Sequence, residues 1–342
     1  MEIIYGKNNL QETMYNKINR LFLMNYHNYH YTKLTCIDGI QSLLLDPSFD
    51  CVCICEGSDI LGFAGFYEET EDSSCIRVFK LAHLLVDANS RGRGLGTLLE
   101  DNRFLMVKKM KGEKIIYASC VENPRNSIYM KLNRGFSICG FKYHYRSSDV
   151  KRGNSLMLVN SEGVNNKEVS ISMTIPISRM TQKVIAKGNH NMAFINSDSC
   201  GNQLSKNEYR TVCEITGSAR VQYKAQITND KSLGRYISRI KAVSILDKEI
   251  AQQEETFGIQ SDDVRDGYAS VVVNPGIEGF SMLDNCLIQN RFYPVTYIPY
   301  INDYYGEVEY QYLPGGIKTI LDDEEVSEEG KQFLREIMQD IG

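Results

Sequence analysis

A glycine-rich loop between a candidate strand and a candidate helix is the part of the sequence best suited to bind an anion. The loop runs from Ser90 to Thr97 (SRGRGLGT) and follows the apolar segment Val78–Asp87. Glycine lets the backbone adopt positive φ and approach a ligand closely. The first N–H groups of the following helix have no intrahelical partner and carry partial positive charge. Arg91 and Arg93 add two guanidinium groups, so we predict a phosphate or pyrophosphate site here.

The spacing of the glycines separates three kinds of phosphate-binding loop. A Walker loop ends in Gly-Lys-Ser/Thr, whereas Gly96 is followed directly by Thr97. A Rossmann turn has the spacing G-x-G-x-x-G, which glycines at 92, 94 and 96 do not match. The remaining pattern, R/Q-x-x-G-x-G/A, fits the residues from Arg91 to Gly96. The loop is therefore predicted to be of this third kind.

This loop and a second segment resemble the two motifs of the GNAT superfamily of acyl-CoA-dependent N-acetyltransferases. The loop follows a strand that reads LLVD and precedes a helix that reads TLLED. The second segment, Val121–Phe136 (VENPRNSIYMKLNRGF), resembles the family's strand, asparagine-bearing turn, helix and terminal Gly-Phe. The resemblance covers about residues 40–160. It implies an α+β (mixed α/β) fold in which helices flank a central mixed, mostly antiparallel sheet.

The resemblance also implies a binding site for acetyl-CoA as acyl donor, with no metal. In the family the loop amides hold the pyrophosphate and the preceding strand pairs with the pantetheine amides. Two strands splay apart around the thioester, and here these are Leu81–Val86 and Ile115–Val121. By position, the implied CoA-binding residues are Leu84, Leu85, Val86, Arg91, Gly92, Arg93, Gly94, Leu95, Gly96, Thr97 and Asn126.

The reaction implied by the resemblance is direct attack of an amine on the acetyl carbonyl in a ternary complex, with a small molecule as the expected acceptor. A tyrosine often protonates the departing thiolate, and Tyr129 is the candidate here. The family usually places this tyrosine four residues before Gly-Phe, whereas Tyr129 lies six before Gly135, and the ungapped position holds Lys131. Tyr129 is therefore either the acid or a packing residue of the core.

Two residues are candidates for the base that removes the amine proton. His83 lies in LAHLLV on the splayed strand, and its ordinary pKa suits proton transfer near neutral pH. Glu122 ends the next strand. Each residue also has a structural interpretation, His83 as a hydrogen-bonded framework residue and Glu122 as a solvated loop carboxylate. The sequence leaves both choices open.

The length of 342 residues predicts two domains. We place the boundary in the polar stretch Ser161–Lys167. Residues 1–160 are expected to be the catalytic GNAT domain, and residues 161–342 a degenerate GNAT-like unit without a phosphate-binding loop. This second unit contains a strand, a helix and a strand at Tyr268–Val273, Phe280–Gln289 and Arg291–Ile298, which resembles the last half of the same fold.

Hydrophobic periodicity predicts further elements in both halves. In the first half these are a helix at Leu10–Met24, a hairpin of Cys51–Cys55 and Ile60–Tyr67, and a helix at Leu98–Lys111. Within the first hairpin strand, Cys51, Cys53 and Cys55 are expected to share one buried face. In the second half they are strands at Glu168–Ile175, Glu208–Thr216, Val221–Ile227 and Glu307–Leu313, and helices at Leu233–Gln253 and Asp322–Ile341.

Composition limits the class of partner. The net charge of −5 argues against a general nucleic-acid binder. The polar N-terminal segment and the absence of a long apolar run predict a cytoplasmic protein without a membrane partner, as a monomer or homodimer. The ten cysteines are expected to be free thiols. Two alternatives to the small-molecule acetyltransferase stay open: a non-catalytic acyl-CoA-binding or scaffold protein, and an acyltransferase with a protein or carrier-protein acceptor.

Overall fold

The described residues form one large mixed sheet with helices on both faces. The computed structural model describes residues 1–26, 32–69, 76–122, 125–146, 153–161, 164, 169–173, 177–188, 192–196, 208–217, 222–229, 269–276, 280–299, 306–313 and 315–339. Twelve strands make up the large sheet, and a further pair forms a small parallel sheet.

The first seven strands carry the glycine-rich loop. They are β1 (Glu2–Tyr5), β2 (Phe49–Glu56), β3 (Asp59–Glu68), β4 (Ile76–Val86), β5 (Glu113–Val121), β6 (Ser137–Arg146) and β7 (Gly153–Asn160). Their spatial order is β1-β2-β3-β4-β5-β7-β6. Neighbouring strands are antiparallel except for β4 and β5, which are parallel. The predicted mixed, mostly antiparallel sheet is therefore confirmed.

Four helices cover the two faces of this part of the sheet. They are α1 (Glu12–Tyr26), α2 (Ile37–Leu45), α3 (Leu95–Lys109) and α4 (Asn126–Leu132). Strand β2 is buried on both faces because its side chains alternate between two clusters. Cys51, Cys53 and Cys55 pack on the face covered by α1 and α2, whereas Val52 and Ile54 pack towards α3. The three cysteines are buried free thiols, and their common face is the one that the period-two pattern predicts.

The large sheet continues into the second half of the chain. The elements there are β8 (Val169–Met173), α5 (Arg179–Gly188), β9 (Met192–Asn196), β10 (Glu208–Gly217), β11 (Gln222–Asn229), β12 (Ala269–Val273), α6 (Phe280–Gln289), β13 (Phe292–Ile298), β14 (Glu307–Tyr312), α7 (Gly316–Leu321) and α8 (Glu328–Met338). Strand β13 joins β6 through the pair Thr296↔Gly140, and the order continues β13-β14-β12-β10-β11. A single hydrophobic cluster includes Phe104, Ile128, Phe136, Val184, Leu283 and Phe333, so one core spans both halves.

Two helix boundaries differ from the sequence prediction. Helix α3 begins at Leu95 rather than Leu98, because the carbonyl of Gly94, its N-cap, already accepts the first helical hydrogen bond, from the Leu98 N–H. The predicted helix Asp322–Ile341 is wrong at its start, because the acidic stretch is a turn after α7 and Ser327 caps α8 by accepting from the Gly330 N–H.

Several other elements were missed or lie elsewhere. The sequence did not predict five of the described elements: β1, α2, α5, β9 and α7. The predicted helix Leu233–Gln253, the first residue of the predicted strand Tyr268–Val273 and most of the predicted linker Ser161–Lys167 lie outside the described residues.

The junction between β6 and β13 depends on a glycine. A Cβ on Gly140 would lie 2.8 Å from the Cα of Thr296 and closer still to its side chain. We expect Gly140→Val to lower the free energy of unfolding by about 1–3 kcal/mol, because the overpacked strands must separate. Urea denaturation measures this, with Ser137→Ala at an exposed position of the same strand as the control. Equal free energies of unfolding for Gly140→Val and Ser137→Ala would contradict a close contact between β6 and β13.

Candidate active site

The loop after β4 has the conformation expected of an anion-binding turn. The carboxylate of Asp87 accepts a hydrogen bond from the N–H of Asn89 at 3.0 Å and so fixes the start of the loop. Gly92 and Gly94 have φ values of 79° and 76°, which are left-handed conformations that side chains disfavour. The loop therefore needs glycine at both positions.

The first turn of α3 contains main-chain N–H groups that have no partner within the helix. Its first hydrogen bond runs from the Leu98 N–H to the Gly94 carbonyl at 3.0 Å, so the amides of residues 95–97 precede the helical ladder. A Cβ on Gly92 or Gly94 would meet no atom within 4 Å. The amides and the open surface beside them give a diphosphate access to the helix dipole.

The two arginines of the loop are held at its rim. Arg91 donates to the Asn25 side chain at 2.9 Å, and Arg93 donates to the carboxylate of Glu56 at 3.0 Å. That hydrogen bond and the charge of Arg93 lower the pKa of Glu56. Both arginines are exposed, and they increase the positive potential beside the free amides.

Strands β4 and β5 separate at the end nearest the loop. Their parallel pairing runs from Ile76↔Glu113 to Leu81↔Ala118, and within the described residues it does not continue beyond that pair. Both strands nevertheless extend further, β4 paired with β3 to Val86 and β5 paired with β7 to Val121. The facing edges of the last residues of β4 and β5 are therefore left without a ladder between them. This is the splay that the resemblance implies, and Leu84, Leu85 and Val86 lie on it.

His83 lies at a kink in β4. The register with β3 shifts at this point, and His83 has a φ of 55°, which is uncommon for a residue other than glycine. Its Nε2 lies 3.3 Å from the Tyr67 hydroxyl. The ring is 5.4 Å from that of Phe22 and 6.2 Å from that of Phe49, centre to centre. The kink thus places an imidazole in an aromatic setting beside the divergent strands.

Glu122 follows β5 and is buried. The prediction of a solvated loop carboxylate is wrong, because the residue is only 4% exposed. Its Oε1 accepts from the N–H of Ser327 at 3.3 Å and from the Ser327 hydroxyl. Burial raises the pKa of Glu122 despite these hydrogen bonds. A residue from the second half of the chain thus covers one of the predicted catalytic groups.

Tyr129 lies on the exposed side of α4, close to the start of α8. It is 47% exposed, so the prediction of a core packing residue is wrong. Its hydroxyl lies 3.4 Å from a carboxylate oxygen of Glu329, and Arg125 lies 3.7 Å from the other oxygen. Asn126, the first residue of α4, is exposed. The ungapped position of the family's tyrosine is occupied by Lys131, which is buried and bonded to Glu100.

Helix α4 lies next to the last residue of the loop, Thr97. The Thr97 hydroxyl lies 3.7 Å from the Met130 sulfur. We call the gap between the divergent ends of β4 and β5, together with the adjoining loop and α4, the cleft. Its open edge offers main-chain groups and its mouth offers helix N-terminal amides.

A buried charged group, formed by Glu100, Arg103 and Lys131, lies beneath this cleft and was not predicted from the sequence. One signal in the sequence pointed to it. Arg103 lies four residues from both Leu99 and Val107, so it falls on the apolar stripe of α3. Ser327 and Glu329 were also missed, and no local pattern connects them with Glu122 or Tyr129.

Comparison with protein families assigns this part of the chain. Residues 12–136 match the model of the Acetyltransferase (GNAT) family. Residues 12–136 are a GNAT acetyltransferase domain. The glycine-rich loop, the splayed strands and α4 all lie within this GNAT domain, and the predicted GNAT fold is confirmed.

Solved GNAT structures resemble about half of the chain. A ribosomal-protein-alanine N-acetyltransferase from Brucella melitensis is 14% identical, covering 47% of this chain and 99% of its own, with a TM-score of 0.40. The aminoglycoside 6'-N-acetyltransferase from Enterococcus faecium is 13% identical, covering 49% and 100%, with a TM-score of 0.38. Arabidopsis thaliana NAA60 in complex with acetyl-CoA is 10% identical, covering 48% and 100%, with a TM-score of 0.40.

No curated protein matches the sequence. In the part of the chain that the structure describes, no helix combines the length and apolar character needed to span a bilayer.

Proposed function

We propose that this protein is an acyl-CoA-dependent N-acyltransferase that transfers acetyl from acetyl-CoA to an amine of a small molecule. The observation that carries the proposal is the separation of β4 from β5 beyond Leu81 and Ala118, directly beside the glycine-rich loop. A linear thioester with a diphosphate at one end fits a cleft with an open strand edge and free helix amides at its mouth.

The chain's own groups fit acetyl-CoA segment by segment. The amides from Gly92 to Thr97 would bind the diphosphate, since the surface at Gly92 and Gly94 is open and the helix dipole favours an anion, whereas the Arg91 N–H already donates to the Ala88 carbonyl. The open edge of Leu84, Leu85 and Val86 would pair with the pantetheine amides, as a strand does in β-augmentation. Asn126 would contact the same ligand from the start of α4. Acetyl-CoA supplies the activated acetyl group.

The catalytic assignment uses His83 on the divergent part of β4 and Tyr129 on α4. The amine nitrogen bonds to the acetyl carbonyl carbon and the C–S bond breaks. His83 takes the amine proton, and Tyr129 gives a proton to the departing thiolate. We favour His83 over Glu122 as the base because His83 lies on the divergent part of β4, whereas Glu122 already accepts from Ser327. A main-chain N–H near the kink stabilises the oxyanion.

The test of this function is thiol release from acetyl-CoA with a panel of amines. The panel contains a diamine, a polyamine, an amino sugar, an amino acid and a peptide with a free N-terminus. Release with a small amine supports the proposal. Release with the peptide alone favours a protein acceptor, and tight acetyl-CoA binding without release on any amine favours a non-catalytic binding protein.

A small acceptor is supported by the position of α8, whose Ser327 and Glu329 lie against Glu122 and Tyr129.

Tyr129→Phe tests the assignment of the acid. We expect it to lower kcat by about 100-fold, because the departing thiolate loses its proton donor. The acetyl-CoA Kd should not change, and the exposed ring should not affect the fold. Tyr5→Phe, at another exposed tyrosine whose hydroxyl bonds to Asn102, is the control. A kcat within twofold of native for both variants would remove Tyr129 from the mechanism.

We also propose that residues 1–160 form the catalytic domain and residues 161–342 a related unit that has lost acyl-CoA binding. The strand order β5-β7-β6 is followed in mirror order by β13-β14-β12, and a helix precedes β13 as α4 precedes β6. Arg291 before Phe292 has a φ of 67°, matching the φ of 78° at Gly135 before Phe136. Residues 161–342 contain no R-x-x-G-x-G pattern, which supports the proposal that this unit has lost acyl-CoA binding.

A further inference from the structure

Three charged side chains lie buried beneath the cleft. Glu100 and Arg103 belong to α3 and Lys131 to α4, and their exposures are 0%, 1% and 3%. Glu100 receives a hydrogen bond from Lys131 Nζ at 2.7 Å and another from Arg103. Buried ions lose their hydration, and an apolar set of similar size is often at least as stable. A buried triad is therefore a poor choice for stability alone, and its contacts indicate a second role.

Arg103 also binds the kink in β4. Its Nη1 donates to the carbonyl of Gly65 at 2.8 Å and to the carbonyl of Ala82 at 2.6 Å. These two residues face each other at the register shift between β3 and β4. The Ala82 carbonyl and the His83 N–H belong to one planar peptide and point in opposite directions. By holding the carbonyl, Arg103 fixes the direction of that N–H and the path of β4 into the divergent segment.

The triad connects three parts of the cleft. Arg103 contacts the kinked strand, Glu100 and Arg103 belong to the helix whose N-terminus forms the phosphate loop, and Lys131 belongs to α4, which carries Tyr129. The guanidinium bonds two carbonyls through Nη1 and the carboxylate through Nη2 in one fixed plane, whereas an ammonium would have to reach all three acceptors from a single nitrogen. We propose that Glu100, Arg103 and Lys131 are positioning residues that hold the kink at His83 in register with the phosphate-binding helix and with α4. This inference rests on the proposed acetyl transfer, and none of the three residues touches a substrate.

Arg103→Lys tests the proposal while keeping the charge next to Glu100. The lysine ammonium lacks the guanidinium fork, so the carbonyls of Gly65 and Ala82 are no longer held in a fixed geometry. We expect kcat for acetyl transfer to fall on the order of 100-fold, as misplacement by about 1 Å does. The Kd of free CoA, which depends on the loop amides, should stay within about threefold. A kcat close to native, or an equal loss of kcat and CoA affinity, would overturn the proposal.

Lys131→Met tests the connection to α4 and keeps the Arg103–Glu100 pair. It is expected to lower kcat about tenfold with CoA affinity retained. Lys131→Met also keeps the proposal testable if Arg103→Lys does not fold. A kcat equal to native in Lys131→Met would overturn the part of the proposal that concerns α4.

Hydrogen exchange separates this inference from the proposed function. In Arg103→Lys the amides of residues 79–86 should exchange faster than in the native protein, whereas those of the helix from Leu95 to Lys109 should not. This readout needs no acceptor. Faster exchange in the strand supports the inference even if no amine is acetylated. Unchanged exchange in the strand overturns it, even if the native enzyme is active.

Discussion

Replacing Glu100 with alanine is expected to lower the free energy of unfolding by about 3–5 kcal/mol, because it leaves two buried cations without a counter-ion. Arg103 and Lys131 both bond to this carboxylate, and neither can reach water from its buried position. Removing one partner of a buried ion pair costs more than removing the whole set, since the remaining charges stay desolvated.

Urea denaturation followed by circular dichroism measures this loss. Asp101→Ala is the matched control, because Asp101 is the next residue of the same helix but is exposed and pairs with Arg134 on the surface. It is expected to change stability by less than about 1 kcal/mol. A loss below that value for Glu100→Ala as well would contradict the buried triad.

The same carboxylate sets the acid sensitivity of the fold. Burial raises the pKa of Glu100, but the charges and hydrogen bonds of Arg103 and Lys131 outweigh burial and lower it from 4.5 to about 2. A carboxyl whose pKa is lower in the folded state stabilises the fold above its unfolded pKa. Between pH 4.5 and about pH 2 that stabilisation, roughly 3 kcal/mol, is lost as pH falls. A stability–pH curve of Glu100→Gln that keeps the native slope in this range would contradict the assignment.

Gly96→Glu is expected to weaken acetyl-CoA binding by about 100-fold or more. Gly96 lies in the first turn of α3, and a Cβ there would meet only Val86 Cγ2, at 3.8 Å. The backbone therefore accepts a side chain, and a carboxylate in the first turn favours the helix. That carboxylate competes for the amides offered to the diphosphate and repels its charge. Losing one or two charge-assisted hydrogen bonds, at about 1.5–3 kcal/mol each, accounts for the expected factor.

Gly96→Gln separates charge from size. It places a side chain of nearly the same volume at the same position without the negative charge, and we expect its acetyl-CoA Kd to rise by no more than about tenfold. Calorimetric titration measures both variants, and thermal unfolding checks that both remain folded. Equal affinities in Gly96→Glu and Gly96→Gln would mean that the diphosphate does not bind at this helix terminus.

The features that the sequence predicts correctly are those whose physics is local. Positive φ at Gly92 and Gly94 and the free amides after them follow from residue type and spacing. The alternation in CVCIC predicts a buried strand because a strand has a side-chain period of two. The splay of β4 and β5 follows from the resemblance of two motifs, both inside the GNAT domain.

The features that the sequence misses depend on contacts between distant residues. A glutamate and an arginine on a helix are normally solvated, and only the packing of α3 against β4 and α4 buries Glu100 and Arg103. Glu122 follows a strand and has the pattern of a loop carboxylate, yet Ser327, 205 positions further along, covers it. The burial of Glu122 has no local signature, because the residue that covers it comes from the other half of the chain.

The central claim is that the free amides at the start of α3 bind the diphosphate of acetyl-CoA beside the divergent strands. Its most direct test is calorimetric titration of the native protein with acetyl-CoA and with acetyl-pantetheine, which carries the same thioester without the diphosphate. We predict a micromolar Kd for acetyl-CoA and binding weaker by about 100-fold for acetyl-pantetheine. No detectable binding of acetyl-CoA, or equal affinities for the two ligands, would contradict the claim.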